Sequence, residues 1–177
     1  MFTHSHNPQN TARFLLGEHS DKMIAVLGIN PSTATVESLD NTMRSVQRIA
    51  NYNGYDGFVM LNIYPQRATD PQDLHKRINK EYHKRNLQEI KTALQCYKID
   101  TLWLAYGDLI EHRKYFKPCL ENILELLHPF NLNYKIAGKL TAKGHPRHPL
   151  YQSAKSELQY FDLNAYLEKT LKLYINA

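Results

Sequence analysis

Apolar residues along this chain gather in four short runs, separated by longer stretches in which they recur every three or four positions. The runs are MIAVLGI at 23–29, GFVMLNI at 57–63, DTLWLAY at 100–106 and NYKIAG at 133–138. Each has strand length, is bounded by breakers and is nearly continuous in apolar character, the pattern of a strand covered on both faces. Between them the period becomes helical. In TMRSVQRIANYNGY, the residues Val46, Ile49, Ala50 and Asn53 share a stripe, and Gly54 stands where a helix carboxyl end favours glycine. A second helix is expected after TDPQD, with Asp70 as cap, Pro71 in the first turn, and Leu87, Ile90 and Leu94 on the buried face. A third carries Leu120, Ile123, Leu124 and Leu127, and a last one opens at Asp162 and carries Leu163, Tyr166, Leu167, Thr170, Leu171 and Tyr174. Strand alternating with helix four times predicts an α/β fold, a parallel sheet with helices on both faces. No repeat, low-complexity stretch or Gly/Ser linker interrupts it, so residues 1–177 are read as a single α/β domain.

Composition narrows the class. With 42% hydrophobic and 22% charged residues the chain reads as globular and soluble, and no window approaches the roughly 18 apolar residues of a membrane span. MFTHSHNPQN lacks the apolar core of a secretory signal, so a cytoplasmic location is expected, with no membrane partner. Cys96 and Cys119 show neither pairing pattern nor zinc spacing and read as reduced, buried thiols. The net charge of +5 is compatible with a polyanionic partner and demands none.

In an open parallel sheet, ligands bind beyond the carboxyl ends of the strands. The segments leaving those ends are NPSTA, NIYPQRATDP, AYGD and KGHPRHPLY, the most polar and proline-rich stretches of the chain. Ser32 or Thr33 can cap a short helix there, while Asn30 and Asn62, each at a strand end, offer both a donor and an acceptor to the crevice. In GHPRHPLY, His145 and His148 lack a third clustered ligand for a metal, so no metal is expected. Two readings remain. The prolines build a rigid loop with solvated histidines, or they hold one imidazole at fixed distance from a bound group, with Arg147 available for a phosphate. The basic segment HKRINKEYHKR at 75–85 is a solvated helix face or a phosphate track. Capping explains Asp70 and accommodates Asp40, and Asp108 begins the helix after AYG. Arg67 either binds a phosphate or modified base, or pairs with Asp70 or Asp40 and fixes its loop.

The runs LGINPSTA, DNTMRSVQRIANYNGYDGFVMLNIYPQRATDP and GHPRHPLY resemble a bacterial and phage family catalogued as a domain of unknown function, DUF1643, over roughly residues 23–155. More distantly, the order of motifs resembles the uracil-DNA glycosylase superfamily. GINP matches its first motif, VMLN its second, LWLAYG loosely echoes its third, and HPRHPL approximates its last with one residue inserted. That resemblance implies a three-layer α/β/α fold with a four-stranded parallel sheet in the order 2-1-3-4; no cofactor is expected. It implies cleavage of a base from its sugar in nucleic acid, with Asn30 holding the water and His148 or His145 donating to the departing base. Asn62 would read the edge of an extruded base, and Leu150 would fill the stack. Ser32, Thr33 and Arg147 would touch phosphates, and Gly107 would join the substrate-binding residues. The first motif lacks the acid of the most efficient branch, and PQRATDP has no counterpart there. The alternatives are a binding module that has lost catalysis, or an enzyme on a free nucleoside or nucleotide.

Overall fold

The computed structural model describes residues 2–35 and 37–173. Its centre is one mixed sheet whose strands are β1 (Phe2–His6), β2 (Arg13–Glu18), β3 (Met23–Gly28), β4 (Gly57–Asn62), β5 (Thr101–Leu104), β6 (Asn133–Ala137) and β7 (Leu158–Tyr160). They lie in the order β1-β2-β4-β3-β5-β6-β7. The four strands expected from their apolar runs are adjacent and parallel, β4 and β5 flanking β3 and β6 beside β5. The expectation of a four-stranded sheet is corrected to seven. A hairpin of β1 and β2 adds antiparallel to β4, and β7 adds antiparallel to β6. Edge strands bury little and so carry little apolar pattern: His4 and His6 in β1 and Gln159 and Tyr160 in β7 are exposed.

The period of two in the strands divides the core between the two faces. Ile24 and Val26, Phe58 and Met60, and Trp103 face one helix, α1 (Asn41–Tyr52), through Met43, Val46, Ile49 and Ala50. Ala25 and Leu27, Val59 and Leu61, and Leu102 and Leu104 face α2 (Lys80–Tyr97) and α3 (Phe116–Leu127). Each fully buried Val, Leu, Ile, Phe or Met among them contributes roughly 1.5–3 kcal/mol. The α1 stripe ends as expected, with Asn53 as carboxyl cap and Gly54 at φ +76°.

The second and last helices differ from their expected forms. Asp70 caps only a 3-10 turn, Pro71–Asp73, and α2 starts afresh at Lys80 under the cap of Asn79. Arg113 donates to the carbonyls of Pro71, Gln72, Leu74 and His75, which holds this intervening stretch away from a helical path. Ile90 and Leu94 are buried on α2, whereas Leu87 is half-buried. The final helix opens at Asp162 as α4 (Leu163–Tyr166) and passes into a π-helical turn, Leu167–Leu171. Tyr174 lies outside the described residues. Cys119 is buried, which pushes its thiol up to about 12, but Cys96 is exposed on α2, against expectation. Among the described residues, no helix is long and apolar enough to cross a membrane.

Candidate functional site

The carboxyl ends of β3, β4, β5 and β6 open on one edge, and segments from all four meet there. They enclose a narrow pocket of about 110 Å3, and next to it a wider cleft of about 570 Å3. Leu109 and His148 line both, so the two adjoin.

Asn62 forms the pocket's inner end. In the parallel register it pairs with Gly28, and the period of two puts its side chain in the row of Phe58 and Met60, toward the start of α1. It is 1% exposed, yet no protein group bonds either its Oδ1 or its Nδ2. A buried polar group left without a partner costs about 1–3 kcal/mol. Gly28 keeps the space open: a Cβ there would lie 2.5 Å from Met60 Cε and 3.5 Å from Asn62 Oδ1.

Asn30 is half-buried on the same wall, but its amide is already committed. Nδ2 donates to the carbonyls of Ala68 at 2.9 Å, Pro31 at 3.1 Å and Gln66 at 3.5 Å. Three acceptors around one end fix the amide's orientation and leave Oδ1 as the group it can offer a ligand.

The two histidines part company. His145 is 1% exposed beneath α4, with Nδ1 2.9 Å from Tyr166 Oη and its backbone N–H donating to Thr141 Oγ1 at 3.1 Å. Its Nε2 lies 3.3 Å from Glu111 Oε1, out of line for a hydrogen bond. It lines neither the pocket nor the cleft. His148 stands at their junction. Its Nδ1 accepts from the Leu150 N–H at 3.3 Å, which leaves Nε2 to carry the proton of the neutral ring. Burial lowers the pKa below the ordinary 6.5, and the charge of Asp40 offsets this only in part.

The remaining candidates divide similarly. Gly107, at φ +65°, spends its N–H on the Pro146 carbonyl at 2.8 Å and packs against His148, so it supports that loop instead of lining the pocket. Ser32 lines the pocket with its Oγ 3.2 Å from Thr69 Oγ1, and Thr33 is exposed. Neither caps a helix; α1 is capped by Asp40, whose Oδ1 accepts from Met43 N–H at 2.9 Å. Arg147 lines the wider cleft and donates to the Leu140 carbonyl, and Leu150 lines the same cleft, 45% exposed. Arg67 makes no ion pair with Asp70 or Asp40; it donates to Asn10 Oδ1 and to the Ala34 carbonyl.

Sequence reasoning passed over Arg13 and Tyr151 and gave Asp40 a capping role or a pairing with Arg67. Arg13 and Asp40 both line the pocket, and Tyr151, 76% exposed, lines the cleft. The Asp40 carboxylate pulls Arg13, Arg67 and His148 upward in pKa, and it shares the pocket lining with Arg13 and His148. An arginine heading the apolar run RFLL was the available signal, since a charged residue there is buried with the strand. The pocket thus combines an amide pair, a neutral imidazole donor, a carboxylate and the amino end of α1, a set suited to binding a polar ring and to separating charge across a breaking bond. Among the described residues, no group of three or more His, Cys, Asp and Glu is placed to hold a metal.

The chain matches the family described as protein of unknown function DUF1643 over residues 13–150 and belongs to it. That span begins at Arg13 and so includes β2 as well as the four parallel strands. No curated protein and no solved structure matches the chain.

Proposed function

We propose that this member of the DUF1643 family is a glycosylase-like hydrolase that cleaves the N-glycosidic bond of a damaged or modified base in nucleic acid. The observation that carries this reading is the buried Asn62 amide, which no protein group satisfies and which presents a donor beside an acceptor, as the edge of a planar base requires. The pocket's size is of the order of one ring: an enclosed cavity of about 150 Å3 takes up benzene, and this one, of about 110 Å3, adjoins a wider cleft. The order of the four parallel strands also agrees with the resemblance to the uracil-DNA glycosylase superfamily, although the antiparallel flanks lie outside that layout.

In this reading water attacks the anomeric carbon as the carbon–nitrogen bond breaks, and the base departs with the bonding electrons. Asn30 Oδ1 accepts a hydrogen bond from the water and positions it. His148 Nε2–H donates a hydrogen bond to the developing base anion, Asp40 supplies negative charge opposite the cationic sugar, and the proton that the water loses ends on the departed base, leaving a hydroxyl on the sugar. The acid absent from the first motif would thus come from the cap of α1. Leu150 and Tyr151, exposed at the cleft, would fill the vacated stack, while Arg147, Ser32 and Thr33 approach phosphates. A second reading, a binding module without catalysis, is favoured by the commitment of Asn30 Nδ2 to loop carbonyls.

The test is base release from labelled single- and double-stranded oligonucleotides carrying uracil, mismatched thymine and a panel of modified bases. Asn30→Ala and Asp40→Asn serve as controls, because asparagine keeps the helix cap and removes only the charge. Release is expected, slowed about 100-fold or more by Asp40→Asn. No release with salt-sensitive binding retained assigns the binding module; absence of both release and binding removes nucleic acid as the substrate.

A further inference from the structure

Beside the amino-terminal hairpin lies a second cavity, of about 200 Å3, lined among others by His4, His6, Arg13, Thr35, Glu37 and Arg67. Two guanidinium groups converge in it. Arg13 Nη1 and Arg67 Nη2 both donate to the Ala34 carbonyl oxygen, and Asn10 Oδ1 holds Arg67 from the other side. Arg13 is 4% exposed and its Nε has no partner. Among the described residues, neither arginine has a carboxylate within ion-pair distance. Burial first, and then the charge of Arg67, bring the Arg13 pKa down to about 10, with Asp40 opposing, so it stays cationic at neutral pH.

Two partly dehydrated like charges held together are unfavourable unless an anion lies between them. Two planar donor forks suit the several oxygens of a tetrahedral oxyanion. Thr35 Oγ1 accepts from the Ser38 N–H at 3.1 Å, and its hydroxyl holds the Glu37 carboxyl below the ordinary carboxylate range. We infer that this cavity binds a phosphoryl oxyanion between Arg13 and Arg67, either free phosphate or the terminal phosphate of a nucleotide. The site does not depend on the reaction assigned to the cleft. Arg13 also lines the narrow pocket, so the two cavities share this side chain. Glu37, exposed on the lining, opposes the anion and sets a limit on affinity.

The experiment is thermal unfolding of the full chain with inorganic phosphate titrated against chloride at constant ionic strength, since a ligand that binds only the folded state raises the melting temperature saturably. Phosphate is expected to stabilise the wild type, Arg67→Gln to weaken its apparent affinity about tenfold, and Glu37→Gln to strengthen it about threefold. Absence of saturable stabilisation, or an unchanged affinity in Arg67→Gln, overturns the proposal. A nucleoside 5′-monophosphate, its nucleoside and free phosphate are then compared. If the monophosphate binds more tightly than phosphate and loses that gain in Asn62→Leu, the phosphoryl group is that of a nucleotide spanning both cavities; equal affinities identify the free ion.

Discussion

His145 and His148 stand three residues apart in one proline-stiffened loop, yet the loop sends them into different chemistry. His145 is enclosed beneath α4 and contacts Tyr166, Thr141 and Glu111. The His148 ring faces the cleft, its Nδ1 accepting from the Leu150 N–H. The same contrast separates two buried asparagines. Asn86 Nδ2 on α2 donates to the Asn62 carbonyl oxygen at 2.8 Å, whereas the Asn62 side chain has no partner. Burial therefore does not mark a functional group here. Unpartnered polar atoms occur in both regions, His145 Nε2 under α4 among them; what distinguishes Asn62 is that both its side-chain polar atoms are unpartnered and that it lines the pocket.

The contrast would break first at the two histidines. His148→Ala removes the donor to the departing base, and a lost donor of this kind costs about 100- to 1,000-fold in rate. Its stability should change by less than about 1 kcal/mol, because one weak hydrogen bond goes with it. Single-turnover base release together with urea unfolding measures both; a rate within a factor of two of wild type would remove His148 from the chemistry.

His145→Leu should do the converse. It strands the Tyr166 hydroxyl in the core, and a loss of about 1–3 kcal/mol is expected from that group alone. Turnover per folded molecule should stay near wild type, which active-site titration beside urea unfolding would establish. A large loss of rate with intact stability would instead place the chain from His145 to Tyr166 in catalysis.

The legible parts of this molecule are those where one local pattern decides the outcome. The runs containing Ile24, Val59 and Leu102 are apolar on both faces because helices cover both, so the four parallel strands could be read directly. Their carboxyl ends then located the crevice, and Asn30, Asn62, Ser32 and His148 do line its pocket. Arg13 and Asp40 were not legible as pocket residues, since their placement depends on long-range pairing. Arg13 arrives because β2 pairs with β4, its own N–H donating to the Pro65 carbonyl at 2.9 Å. Asp40 arrives because α1 docks its amino end over Asn62. The histidine pair was undecided for a similar reason: only the packing of α4 over the loop tells which ring is enclosed.

The smallest effect is a difference in the pH dependence of stability. Burial holds the folded His148 pKa below the 6.5 it has when unfolded. As pH falls through that ordinary value, the unfolded chain takes up a proton that the folded chain does not, and the folded state loses stability until its own ring protonates. The full contribution is therefore present above about 6.5 and declines below it. Subtracting the His148→Ala stability curve from that of the wild type cancels the other titrating groups and should leave a difference that falls with pH only below about 6.5. A flat difference would mean that the ring is solvated in the folded protein, and the cleft would then lose the dry, neutral donor that separates it from the partnered histidine under α4.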